Sequence, residues 1–240
     1  MAALRLTIVL CNMMKIVAIS DTHCRHRDLR LPEGDMIIHA GDICQNGTEG
    51  EVLSFLNWFT KLDFRYKIFI AGNHDFFFDG ETDNYLSKII PSNITYLNDS
   101  GIEIEGFTIW GSPVTPWLYD GAFNRIRGRN ISKHWKMIPE NTDILITHGP
   151  PYGILDKNRV GFSAGCQSLK RAVKRIQPKL HVFGHIHEAG GIVELQGITF
   201  VNACVYADES MMKSRELYSI TINREVKNDR KVSNKTNKSK

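Results

Sequence analysis

Three short apolar, β-branched runs open the interpretable part of this 240-residue chain: KIVAIS (15–20), DMIIHA (35–40) and KIFIAG (67–72). Runs this short and this continuous suit strands buried on both faces. Between the second and third lies EGEVLSFLNWFTKL, with Val52, Leu53, Phe55, Leu56 and Phe59 at helical spacing. An amphipathic helix is predicted there, covering a sheet face. Strand, crossover and strand in that order read as a parallel βαβ sheet.

Further along, ITYL (94–97), GIEIEG (101–106) and FTIWG (107–111) read as short strands joined by tight polar turns. The stretch SPVTPWLYDGAFNR has no period, and irregular segments of that length are often functional. SKHWKMI reads as a short helix capped by Ser132, and DILITHG (143–149) as another buried strand. GCQSLKRAVKRIQ (165–177) places Leu169, Val173 and Ile176 on one helical face and stops at Pro178. KLHVFGHIH (179–187) is a further strand, GIVELQGITFVNAC a hairpin turning at Gln196-Gly197, and ELYSITI (216–222) the end of the sheet. The expectation is a single domain over 14–223, parallel in its first half and more antiparallel in its second. Residues 1–13 are expected to be an extension or added edge strand, with translation starting at Met1, Met13 or Met14. Residues 224–240, which lack an apolar pattern, are expected to be a disordered basic tail.

The charge is unevenly placed. The formal net charge is +4, but residues 224–240 alone carry seven Lys/Arg against two acidic residues, which leaves the body near −1. A near-neutral body argues against a nucleic-acid groove. Five scattered cysteines with no C-x-x-C pair suit a reducing compartment, so a cytoplasmic location is expected. No stretch approaches the roughly 18 apolar residues that span a bilayer.

The strand ends carry the chemistry. VAIS closes on Asp21-Thr22-His23, IIHA on Gly41-Asp42, IFIA on Gly72-Asn73-His74-Asp75, ILIT on His148-Gly149, and HVFG on His185-Ile186-His187. In open parallel sheets ligands bind beyond the carboxyl ends of strands. Residues i and i+2 point the same way there, so Asp-x-His and His-x-His can each serve one pocket. Imidazole with carboxylate suits Zn, Fe or Mn. Seven such side chains exceed one tetrahedral site and suit two ions about 3.5–4 Å apart, bridged by a shared carboxylate.

Taken in order, D-x-H, G-D, G-N-H-D, H and G-H-x-H resemble the calcineurin-like metallophosphoesterase superfamily. DTHCRH, HAGD, AGNHDFFFD, LITHGPP and PKLHVFGHIHEAGG are similar to its small metallophosphoesterase-domain branch, which includes vertebrate brain proteins and many bacterial relatives. The resemblance implies an α/β fold, a four-layer αββα sandwich of two mixed sheets flanked by helices. It implies two divalent or transition metal ions (Mn, Fe or Zn), one on Asp21, His23, Asp42 and His187 and the other on Asp42, Asn73, His148 and His185, with Asp42 as the bridge. A metal-bridging hydroxide would then attack a phosphoester. His74 is expected to face the substrate rather than bind metal, protonating the leaving oxygen or stabilising charge on the phosphoryl group, with Asp75 hydrogen-bonded to it.

Arg25, His26 and Asn202 are candidate substrate-side or supporting residues, Arg25 through a phosphate oxygen and Asn202 through a ligand histidine. Trp117, Tyr119 and Phe123 are candidates to line a pocket, and Cys24 and Cys44 to pack. The expected activity is hydrolysis of a small phosphoester, with a cyclic nucleotide as one candidate. A phosphoprotein phosphatase, a nuclease and a non-catalytic nucleotide-binding scaffold are the alternatives. The partner is a small phosphoester substrate, with no membrane; oligomeric state is not legible.

Overall fold

The structure is a computed structural model that describes residues 9–207 and 217–227. The expected tail beyond Lys227 and the extension before Val9 lie outside the described residues. In chain order the elements are β1 (Val9–Ile19), β2 (Met36–Ala40), α1 (Glu49–Phe59), β3 (Tyr66–Ile70), α2 (Phe76–Gly80), α3 (Asp83–Ile89) and β4 (Thr95–Tyr96). There follow β5 (Ser100–Ile104), β6 (Phe107–Ser112), β7 (Thr115–Pro116), β8 (Asn124–Arg125), α4 (Arg129–Met137) and β9 (Ile144–Thr147). Last come α5 (Gln167–Ile176), β10 (Leu180–Phe183), β11 (Gly191–Leu195), β12 (Ile198–Asn202) and β13 (Tyr218–Lys227).

Two sheets form, ordered β13-β1-β2-β3-β4 and β11-β12-β10-β9-β6-β5. The layers follow from alternation along each strand. Ile16, Ala18, Met36, Ile38, Ile68 and Ile70 turn inward and meet Ile109, Ile144, Ile146, Leu180 and Val182 of the second sheet. The odd-numbered partners Val17, Ile19, Ile37 and Phe69 turn outward under α1, which lays Val52, Phe55, Leu56 and Phe59 on them. On the far side Leu145, Phe183 and Phe200 lie under Ile131 and Trp135 of α4 and Leu169, Val173 and Ile176 of α5. Helices, sheet, sheet and helices make the four-layer α/β sandwich.

Several expectations change in detail. The second sheet is not mainly antiparallel: β12, β10, β9 and β6 are all parallel neighbours, and only the edge pairs β11–β12 and β5–β6 are antiparallel. The last strand does not stop near residue 222. It pairs with β1 from Tyr218 to Lys227, so Arg224–Lys227 belong to the sheet. Leu53 turns outward and is exposed, outside the buried stripe of α1. Gly128, not Ser132, caps α4; the Ser132 hydroxyl donates back to the Gly128 carbonyl from within the first turn. The hairpin between β11 and β12 turns at Gln196 and Gly197 as expected, both with positive φ, the pairing a tight type I′ turn requires.

Candidate metal centre

The carboxyl ends of β1, β2, β3, β9 and β10 all open on one edge of the sandwich. Main-chain bonds tie the loops that leave them. The Asp21, His23 and Cys24 amides donate to the Gly41, Asp42 and Ile43 carbonyls, and the Gly184 amide donates to the His148 carbonyl. Four of the expected ligands, Asp21, His23, Asp42 and His185, have positive φ between 42° and 70°. Such backbone costs roughly 1–2 kcal/mol per non-glycine residue, so the surrounding structure must hold it there.

The seven residues from five separate strands converge. Ligand atoms of Asp42, His148 and His185 lie within 4.8 Å of one another, as do those of His23, Asp42 and His74. Asp42 stands between the two groups. The Asn73 amide oxygen is 2.9 Å from His148 Nε2, and Asp42 Oδ2 is 3.3 Å from that same nitrogen. On the other side His187 Nε2 is 3.3 Å from Asp21 Oδ1 and 3.4 Å from His23 Nε2.

The donor set passes a chemical test for metal. A carbonyl oxygen only accepts, so a histidine whose Nδ1 meets one must carry its proton there. His23 Nδ1 meets the Cys44 carbonyl at 3.1 Å, His148 Nδ1 that of Ala40 at 2.9 Å, and His74 Nδ1 that of Gln45 at 2.9 Å. Each neutral ring therefore presents an Nε2 lone pair, the form that ligates a cation. A cation beside each would satisfy the close approach of His23 Nε2 to His187 Nε2 and that of His148 Nε2 to two oxygens. At His148 a proton and a cation compete for the same Nε2 position beside Asp42 and Asn73. Burial presses the His148 imidazole down, but the Asp42 carboxylate outweighs it and lifts it to about 10. Burial pushes the Asp21 and Asp42 carboxyls up, but adjacent imidazoles, His187 on Asp21 and His148 on Asp42, hold both below the ordinary range. Burial, then the charge on His148, pushes His185 down to about 4.

Two glycines make this density possible. A Cβ at Gly184 would fall on the Asp21 carboxylate and the Ser20 hydroxyl, and one at Gly72 on the Asp42 carboxylate and backbone.

The remaining candidates divide. His74 lines the mouth of a cavity of about 830 Å³, together with Arg25, Asn73, Tyr119, His185 and Glu188. Arg25 is held there by Asp28 at 2.8 Å and by the Tyr206 ring at 4.9 Å. Asp75 does not touch His74. It is fully buried and accepts the Gly72, Cys44 and Ile43 amides at 2.8, 2.9 and 3.2 Å, stapling the loop after β2 to the loop after β3. The expected partnership fails because consecutive loop residues face apart, and the Gln45 carbonyl sets the His74 tautomer instead. His26 does not reach the cavity: it is 1% exposed and packed against Phe55 and Trp58, where burial pushes it down to about 4. Asn202 meets neither substrate space nor a ligand imidazole; its amide donates to the Ile186 and Leu155 carbonyls and so holds the backbone between His185 and His187. Phe123 is core, whereas Trp117 and Tyr119 are exposed.

One residue had no sequence signal. The buried Cys204 thiol donates to Asp21 Oδ2 at 3.1 Å and joins Asp21 and His187 in a third group of potential ligands. It follows β12 beyond an ordinary apolar run, so only the bridge between Ser20 and Cys204 across the sheet ends brings it to the centre.

Two helix-flanked mixed sheets that bring carboxylates, imidazoles and one amide to a single edge make a candidate metal centre on an α/β sandwich. The family model described as calcineurin-like phosphoesterase matches residues 14–189, and the chain belongs to that family. It is 43% identical over 214 residues to the human metallophosphoesterase domain-containing protein 1, covering 80% of this chain and 66% of that protein, just under two thirds of its length. It is 37% identical over 220 residues to a UPF0046 protein of Caenorhabditis elegans, covering 85% of this chain and 74% of the relative. The fold is also that of the phosphopantetheinyl hydrolase of Mycobacterium tuberculosis, with a TM-score of 0.57 at 15% identity over 86% of this chain and 95% of that one. No described helix is long and apolar enough to cross a membrane.

Proposed function

We propose that this chain is a two-metal phosphodiesterase acting on a small phosphoester, with a cyclic nucleotide as a candidate substrate and Mn, Fe or Zn as candidate ions. The observation that carries the reading is the pair of His23 and His148 rings, each fixed through Nδ1 by a main-chain carbonyl, whose Nε2 atoms face Asp42 and Asn73. Asp21, His23, Asp42 and His187 would hold one ion; Asp42, Asn73, His148 and His185 would hold the other. Bound ions supply Lewis-acid clamping of phosphoryl oxygens and a water acidified to near neutrality.

The chain's own residues supply the rest. As the imidazolium, His74 donates Nδ1–H to the Gln45 carbonyl and turns its Nε2–H to the cavity. It gives that proton to the departing alcohol oxygen. Asp42 Oδ1 accepts the His74 amide at 2.8 Å, which keeps the acid and the shared carboxylate in register. The cavity volume suits a small molecule.

The test is hydrolysis by the Mn²⁺-loaded protein of bis-p-nitrophenyl phosphate, p-nitrophenyl phosphate, cyclic nucleotides and a phosphopeptide. Faster turnover of the first than the second is expected. No turnover of any of them with metal bound would reject the reading, and a marked preference for the phosphopeptide would redirect it to a protein phosphatase.

A further inference from the structure

Two buried histidines outside the ligand set occupy matching places in the two sheets. His39 lies on β2, three residues before Asp42; His181 lies on β10, four residues before His185. Both are fully buried. Both face the outer, helix-covered layer rather than the core between the sheets: His39 packs on Phe55 of α1, and His181 on Phe183 and Phe200.

Each makes the same contact. His39 Nε2 is 2.9 Å from the hydroxyl of Thr22, on the continuation of the parallel neighbour β1. His181 Nε2 is 2.8 Å from the hydroxyl of Thr147, on the parallel neighbour β9. Both threonines are fully buried and adjoin expected ligands. Thr22 sits between Asp21 and His23, and Thr147 precedes His148.

The donor direction can be assigned at both places. His39 Nδ1 accepts the Gly41 amide at 3.3 Å, so the proton of the neutral ring is on Nε2 and is given to Thr22. Thr147 donates its own proton to the Gly149 carbonyl at 2.8 Å, so it must accept from His181 Nε2. Burial pushes both rings down to about 3, which keeps them in this one-donor form. The strained backbone at Asp21 and His23 gives the first contact something to restrain.

We infer that His39 and His181 are twin positioning residues, one in each sheet, each holding through a threonine hydroxyl the ligand loop of one ion. The inference rests on the two-metal reading above, and its test reads ion binding rather than hydrolysis. His39 and Thr22 serve the ion on Asp21 and His23; His181 and Thr147 serve the ion on His148. A hydrogen bond that orients a ligand typically changes metal affinity 10–100-fold.

The experiment is Mn²⁺ titration of the full chain by calorimetry and equilibrium dialysis, with His23→Ala and His148→Ala marking which ion is which. Thr22→Val is expected to weaken the ion lost in His23→Ala by tenfold or more and spare the other. Thr147→Val is expected to do the reverse, and Thr22→Ser and Thr147→Ser to restore wild-type affinity. Should a valine variant not fold, His39→Leu and His181→Leu must reproduce the ion-specific losses, while His39→Gln and His181→Gln, which keep an N–H to give, must not. Wild-type affinity for both ions in the valine and leucine variants, or equal weakening of both ions in each, overturns the inference. A wild-type chain that binds no pair of ions defeats the two-metal reading itself, a result distinct from either.

Discussion

His74 and Asp75 are neighbours in sequence with opposite surroundings, and substitutions should separate them. His74→Ala is expected to lower turnover about 10²–10⁴-fold, the usual loss for a general acid, with both ions still bound. Loss of an ion in that variant, measured by metal analysis, would make His74 a ligand instead, as its place beside His23 and Asp42 allows. Asp75→Ala orphans three buried amide donors, each worth about 1–3 kcal/mol, so it should destabilise the chelated protein in urea melts. His26 gives a pH signature. Its folded value near 4 lies below the unfolded 6.5, so the neutral ring's contribution is present above pH 6.5 and is lost as pH falls towards 4. Between pH 7.5 and 5 the chelated wild type should lose on the order of 2 kcal/mol more than His26→Leu, measured by urea melts at both pH values. The cavity-facing place of His74 was expected, but the surroundings of Asp75 and His26 were not legible in the sequence. Residue type and an adjacent motif suggested that Asp75 serves His74 and that His26 faces substrate, but side-chain direction in a loop has no period to read.

At the scale of elements, the same five strand ends that could be read from apolar runs do meet: β1, β2 and β3 are parallel in one sheet, β9 and β10 in the other, and the packing of the two sheets brings both sets of carboxyl ends to one edge. How closely they meet is decided by glycine. Gly184→Ala pushes a Cβ into the Asp21 carboxylate, and should weaken ion binding tenfold or more in a Mn²⁺ titration while leaving the sheets intact by circular dichroism. An unchanged affinity would show that the loop after β10 gives way freely. The parts misread at this scale have a common cause. β13 continues from Arg224 to Lys227 because its main chain pairs with Val9–Asn12, and main-chain pairing leaves no apolar pattern. The parallel centre of the second sheet was equally hidden. The strand β6 is joined in sequence to its antiparallel neighbour β5 by a tight turn, whereas its parallel partner β9 lies a long crossover away.

For the whole molecule, metal and fold stability are linked, since an ion that binds only the assembled edge stabilises the folded state. Mn²⁺ at about 100 times its dissociation constant should add roughly 2.7 kcal/mol per independent site over the chelated protein, read from paired thermal or urea melts. An unchanged midpoint would argue that the centre does not assemble around cations. The chain's own order of apolar runs and polar strand ends determined the α/β class, the helix-covered layers and the seven candidate ligands, because burial and ligand chemistry are local properties of residue types. Only the tertiary structure decided which nitrogen of each imidazole is free, that Asp75 staples backbone, that Asn202 holds the loop of His185 and His187, and that Cys204 reaches Asp21. Those depend on carbonyls and side chains up to 183 residues apart along the chain, and a contact at that separation exists only once both sheets are packed.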